Sequence, residues 1–426
     1  MKYDLLCSWW DGAMSRTPIA NRFQHIVILL ISVVSLAGTS PTAFAEDSAA
    51  PKTRQATIEQ QQAAKVETLQ PDVPGKAERV VNQVEDILTN GLTWRPYFES
   101  AYQGGGLPLG VGYKRYVSPF NTLDVRGSYT LGGYTRAEAE FVAPHLFHRR
   151  GELSLLGGWR DATDVGFYGI GQGTQEADRA NYAFRQPYAS ATLRLMPTRE
   201  HWTFAGGLEW TQWDQRTADA SGSVPPVESL FTPQTLPGLG ADVTYVHSRA
   251  SASFDWRPDA GYARRGGYYG VTAHDYVNTN GHFGFDEIDY EAIQHVPILR
   301  ETWVVTLHGL AQTTYDKGGD EIPFFMLPSL GGGSTLRGFS SWRFRDRDSL
   351  LLQAEWRIMA NRFFETALFY DTGKVAARPS DLNLRDMPHD WGLGFRFHGP
   401  TATVLRIDVA RGDEGTRVVF AAGHVF

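Results

Sequence analysis

The stretch DWGLGFRF, residues 390–397, decides the fold: Trp391, Leu393, Phe395 and Phe397 alternate with Asp390, Gly392, Gly394 and Arg396. A period of two puts the apolar side chains on one face of a strand and the polar ones on the other. The alternation recurs nearby. In LLLQAEWRI, residues 350–358, Leu350, Leu352, Ala354, Trp356 and Ile358 share a face, and Gln353, Glu355 and Arg357 share the opposite one. In TVLRIDV, residues 403–409, Leu405, Ile407 and Val409 oppose Arg406 and Asp408. Further back, Leu123, Val125 and Tyr129 oppose Asp124, Arg126 and Ser128, while Ala137, Ala139 and Phe141 oppose Arg136, Glu138 and Glu140.

A soluble β-sandwich also alternates, with its polar face in water and its apolar face against a second sheet. Two features favour a transmembrane barrel instead. The strands are long, about ten residues, with aromatics near their ends, as outer-membrane barrels require. The chain also ends on a strand, VVFAAGHVF, whose last residue Phe426 is a terminal aromatic on the apolar face, the assembly signal that outer-membrane barrels carry.

Strands are expected near 94–103, 108–117, 121–131, 134–143, 151–161, 182–195, 201–212, 241–255, 267–277, 283–296, 301–314, 349–359, 362–374, 389–398, 402–411 and 416–426. That is sixteen, an even number, as a closed single-chain barrel usually needs. Alternate connections are short, as at 118–121 and 297–300, whereas 214–240 and 315–348 are long. Short turns belong on the periplasmic side and long loops outside. The fold class is therefore all-β, a 16-stranded antiparallel transmembrane β-barrel over 93–426.

Composition agrees. Of 426 residues, 13% are aromatic and 44 are glycine, which favours strands and turns over helices. The net charge of −7 gives no reason to expect a nucleic-acid partner. The one long apolar run, 26–37, is too short to span a bilayer as a helix, and it precedes the small-x-small site Ala43-Phe44-Ala45. Residues 1–45 thus read as a removed secretory signal, with Met14 fitting as the true start. Its removal takes Cys7, the only cysteine, so the mature chain has no disulfide, thiolate metal site or cysteine nucleophile. Residues 46–92 read as a flexible lead followed by a short amphipathic periplasmic helix, in which Val80, Val81, Val84, Ile87 and Leu88 recur at helical spacing.

Between the eleventh and twelfth strands lies LGGGSTLRGFSSWRFRDRDS, residues 330–349. Its glycines, Gly331, Gly332 and Gly333, do not make a nucleotide loop, which needs a lysine followed by serine or threonine between strand and helix. The order of glycines, then Leu336-Arg337-Gly338-Phe339, resembles the signature of the bacterial surface antigen superfamily, the outer-membrane assembly and translocation barrels of the BamA, TamA and FhaC type. Glu355-Trp356-Arg357, Phe369-Tyr370-Asp371-Thr372-Gly373 and the closing segments GLGFRF and LRIDVA agree with it in order. The resemblance implies that the sixth loop folds back into the barrel and that its arginine meets acids on the inner wall. Strand parity puts Glu355 and Asp371 on that wall, so Arg337 can meet both in fork geometry, with Gly338 allowing close backbone passage and Phe339 packing on the wall. Members of the family carry polypeptide-transport-associated domains before the barrel, and residues 46–92 are too few to hold one.

The implied function is assistance in inserting or translocating outer-membrane components, with a separate periplasmic or outer-membrane protein partner. Its other contacts are outer-membrane lipids and, during biogenesis, the barrel-assembly machinery. The alternative is a passive pore or structural barrel, whose inner wall would carry Arg126, Glu138, Arg357, Arg396, Arg406 and Asp408 in water. A third reading, an outer-membrane hydrolase, rests on His274, Asp275, His282, Asp286 and Glu287 near one rim. Their order fits no known triad. His145 and His148 lie in a turn without a third ligand and read as structural rather than as a metal pair. No catalytic, cofactor or metal signature is expected, and the chain does not read as an enzyme.

Overall fold

The computed structural model describes residues 93–198, 201–218, 224–361, 363–398 and 403–421. The signal, lead and helix expected within 1–92, and Phe426, lie outside the described residues. Regular structure begins with β1 Trp94–Tyr97, β2 Pro108–Tyr116, β3 Thr122–Thr130, β4 Thr135–Leu146, β5 Gly151–Phe167 and β6 Ala180–Leu195. It continues with β7 Trp202–Thr217, β8 Asp242–Asp255, β9 Gly266–Asn278, β10 Phe285–Leu299 and β11 Trp303–Asp316. Two short strands follow, β12 Ser329–Leu330 and β13 Phe344–Arg345, and then β14 Asp348–Met359, β15 Phe364–Ala376, β16 His389–His398, β17 Thr403–Gly412 and β18 Gly415–Ala421.

All but β12 and β13 form one sheet of sixteen strands in chain order, each antiparallel to the next, and β12 pairs with β13 inside the connection from β11 to β14. Because sequential neighbours pair throughout, connections alternate between the two ends of the sheet, and the long ones, 218–241 and 317–347, share an end. On the opposite end the segment 256–265 turns inward, where the Ala263 carbonyl accepts a 2.7 Å bond from Arg357.

The sheet is inside out by the standard of a soluble protein. In β16, Trp391 is 60% exposed while Asp390, one residue back, is 0%. Leu109, Val125, Leu208, Leu307 and Leu368 are likewise exposed, and Asp124, Glu138, Glu365 and Asp408 are buried. An exposed apolar face of this extent is stable only against hydrocarbon, which removes the ground for a sandwich.

The strand expected over 94–103 is only Trp94–Tyr97. Beyond it the chain leaves the sheet, because Ala101 and Tyr102 join an apolar cluster, with the Tyr102 ring 4.5 Å from Phe184. Most of that cluster comes from the long-connection end: Val227 and Leu236 meet Phe324 and Phe325, and the Phe324 ring lies 5.1 Å from Phe167 and 4.9 Å from Tyr182. A second cluster gathers Leu330, Leu336, Phe339 and Phe344 of the β11–β14 connection against Leu351 and Val375. That connection therefore packs on the buried face of the sheet.

Candidate functional site: a buried arginine cluster

Strand pairing positions the acids. In the β14–β15 pair Gln353 lies opposite Asp371 and Glu355 opposite Phe369, while β16 and β17 place Gly394 opposite Asp408 and Arg396 opposite Arg406. Since side chains alternate, Glu355, Asp371, Arg396, Arg406 and Asp408 all project from the buried face. Arg337 comes to them from the loop and is 0% exposed.

Its guanidinium is held on every edge. Nε and Nη2 donate to the two oxygens of Asp371 at 2.6 and 2.7 Å, and Nη1 donates to Glu355 Oε1 at 2.5 Å. The first pair is the fork geometry that only arginine can offer a carboxylate. The Phe369 ring lies under the guanidinium, 3.5 Å from its central carbon. Burial opposes the charge of Arg337, but Asp371 and Glu355 more than offset it, so the loop arginine holds its proton more firmly than a free one. Around this pair a second layer forms: Arg396 donates to Glu355 and Asp408, both at 2.8 Å, and Arg406 donates to the Gly333 carbonyl at 2.6 Å. Gln353 ties Asp371 at 3.1 Å to the Thr335 carbonyl at 2.7 Å.

The loop backbone fits as closely as its arginine. A Cβ on Gly338 would stand 2.5 Å from Asp390 Cβ and 2.9 Å from the Gly412 nitrogen. Gly331 and Gly332 both hold left-handed φ, +116° and +102°, and a Cβ on Gly333 would meet Val419 at 2.6 Å. Phe339 is buried, with its ring 5.3 Å from Phe344. Gly338→Val is expected to lower stability by about 1–3 kcal/mol through overpacking. Gly173→Ala, where nothing stands within 4 Å, should change little. Unfolding temperature on unboiled gels compares the two.

Beyond the cluster the loop reaches distant parts of the sheet. Trp342 donates to the Gln103 carbonyl at 3.0 Å, Arg343 to Glu414 at 2.6 Å and to Thr174 Oγ at 2.7 Å, and Arg417 to Ser340 Oγ at 2.6 Å. Gln103 precedes β2 and Arg417 lies on β18, so the sheet curves round the loop. Arg345 is buried against Tyr182 and the Phe324 carbonyl at 2.8 Å.

Strand parity found Glu355 and Asp371, and it could also have found Phe369, two residues from Asp371, and Asp390, beside the apolar Trp391. Arg343 and Arg345 carried no such signal, because their burial depends on loop packing. The charges expected to stand in water are instead paired: Arg126 meets Glu138 at 2.9 Å, Arg357 meets Glu365 at 2.8 and 3.0 Å, and Arg396 meets Asp408.

The rim residues of the hydrolase reading do not assemble. His274 and Glu287 lie opposite each other on one face of the β9–β10 pair, while Asp275 and Asp286 lie on the other face and both bind Lys317. His274 meets His247 at 2.9 Å and Asp289 at 3.4 Å. The His282 side chain is exposed and stands 3.8 Å from Asp320. His145 packs its ring 4.4 Å from Phe120.

No curated protein sequence matched the chain. Among solved structures, the fold is similar to BamA from Haemophilus ducreyi lacking POTRA domains 1–3, with a TM-score of 0.56 and 16% identity, covering 77% of this chain and 69% of that one. It is also similar to CdiB from Escherichia coli, with a TM-score of 0.51 and 12% identity, covering 77% of this chain and 61% of that one. At these identities the likeness concerns the fold. A family model settles the kinship: residues 121–426 match the Omp85 superfamily domain, and the chain belongs to the Omp85 superfamily.

Proposed function

We propose that the sixteen strands close into a barrel in the outer membrane, that the loop 317–347 is latched inside it through Arg337, Gly338 and Phe339, and that the protein assists insertion or translocation of outer-membrane components together with a protein partner. The observation that carries this reading is the buried cluster of Arg337 with Glu355 and Asp371. A pore needs charged walls open to water, and a buried ion-pair cluster costs desolvation without serving conduction. A device that must hold a large loop in one of two places has a use for it, because removing one partner destabilises the rest. Family membership supplies the class of function, and the latch supplies what this chain contributes to it.

A strain lacking the gene should show a selective change in outer-membrane components by membrane proteomics. Wild-type protein should restore the pattern, and Arg337→Ala made to the same membrane level should not. If the envelope is unchanged and purified protein conducts ions freely in planar bilayers, the pore reading replaces this one.

A further inference from the structure

The cluster carries more acids than bases. Arg337, Arg396 and Arg406 face Glu355, Asp371, Asp408 and a fourth buried carboxyl, Asp390, which enters no ion pair among the described residues. Asp390 is the cross-strand partner of Asp371 in the β15–β16 pair, and both side chains are 0% exposed. Directly opposed residues on one face have their Cβ atoms about 4.5–5.5 Å apart, close enough for carboxyl groups to touch.

Every side of Asp390 can be named. From β15 it faces Asp371, from β17 the backbone of Gly412, and from the loop Arg337 and Gly338. Along β16 the next residue on its face is Gly392. Arg337 has spent its fork on Asp371 and its remaining nitrogen on Glu355. The Gly338 amide faces Asp390, but neither carboxylate oxygen receives a well-formed hydrogen bond. Two ionised carboxylates sharing a buried site repel strongly, and such pairs hold one proton between them.

We propose that a proton is a structural part of the latch: Asp390 is present as the carboxylic acid and donates its O–H to Asp371. The inventory then balances, three arginines against three carboxylates. Asp390 becomes a positioning residue that acts on Arg337 through Asp371. Losing the proton sets a second negative charge beside the carboxylate that grips the loop, so a single deprotonation loosens the latch. This rests on the latch reading above.

The direct test is infrared spectroscopy on the whole protein in phospholipid vesicles. The wild-type spectrum at neutral pH should contain a protonated-carboxyl C=O band that is lost in Asp390→Asn and bleaches on alkalinisation. Unfolding temperature gives the second readout. As pH rises from the acid side towards neutrality the wild type should lose stability, since over that range the folded state holds a proton that the unfolded chain has released, whereas Asp390→Asn, whose amide donates permanently, should fall less steeply. A difference spectrum without the band, or an Asp390→Asn profile that falls as steeply as the wild type's, overturns the proposal. Arg337→Ala separates the two ideas. If it is destabilised while the band is missing, the latch stands and the proton does not; if it is as stable as wild type, the latch falls and the proposal with it.

Discussion

Arg337→Ala is expected to lower the stability of the folded protein by about 3–5 kcal/mol, the cost of removing one partner from a buried pair. The upper part of that range applies because Arg337 is 0% exposed, so water cannot screen what remains. Asp371 loses both hydrogen bonds of the fork, Glu355 loses one of two, and Phe369 loses the cation over its ring. Arg337→Lys should recover part of the loss, since an ammonium restores the charge but cannot form the planar fork on Asp371. Arg396→Ala should also be costly, though less so, because Arg337 still attends Glu355 and Arg406 still attends Asp408. Arg194→Ala is the reference: that side chain is half exposed beside Glu152, and pairs of this kind contribute about 0–1 kcal/mol. The temperature at which the compact band disappears on unboiled gels ranks all four. An Arg337→Ala band as heat-stable as Arg194→Ala would mean that the loop is not held by this residue.

The sequence made the wall legible and left the interior largely hidden, for a physical reason. A strand face is fixed by counting in twos, so Glu355 and Asp371 could be placed inward from Trp356 and Tyr370 alone. Asp390 was equally visible in principle, since Trp391 beside it points outward, but its importance depends on register: only the pairing of β15 with β16 sets it against Asp371. The apolar cap obeys no period. Val227, Leu236 and Phe324 come from connections, and their burial follows from contacts between segments far apart in the chain. The same limit explains β1, whose pattern continued past Tyr97 although Ala101 and Tyr102 were needed in the cap. Only the pore alternative sets Arg396, Arg406 and Asp408 in water. They stand on the buried face, but their surroundings are not legible from strand parity, because the loop that covers them is supplied by residues more than fifty positions away.

Removal of the loop should have the largest functional effect of any change. A barrel of sixteen strands is wide enough to leave an aqueous channel unless something fills it. With the sheet closed as proposed, the β11–β14 connection would supply the filling: Leu330, Leu336 and Phe339 pack on Leu351 and Val375, and Phe324 and Phe325 pack at the long-connection end with Phe167 and Tyr182. Replacing 318–346 by a short hairpin turn is sterically direct, since β11 and β14 are already neighbours with Thr313 opposite Asp348. The outer wall is untouched, so the product should insert and still show a compact band on unboiled gels, though one lost at a lower temperature than the wild type's because Glu355 and Asp371 no longer have Arg337. Its single-channel conductance in planar bilayers should rise well above that of the wild type, to the level of an unplugged channel of porin width. Arg337→Ala should lie between them, with brief openings as the loop leaves the wall, because Trp342 on the Gln103 carbonyl and Arg343 on Glu414 still hold the loop after the cluster is lost. Equal conductance for wild type and a folded deletion would place the loop outside the conduction path, and the latch would then have no lumen to close.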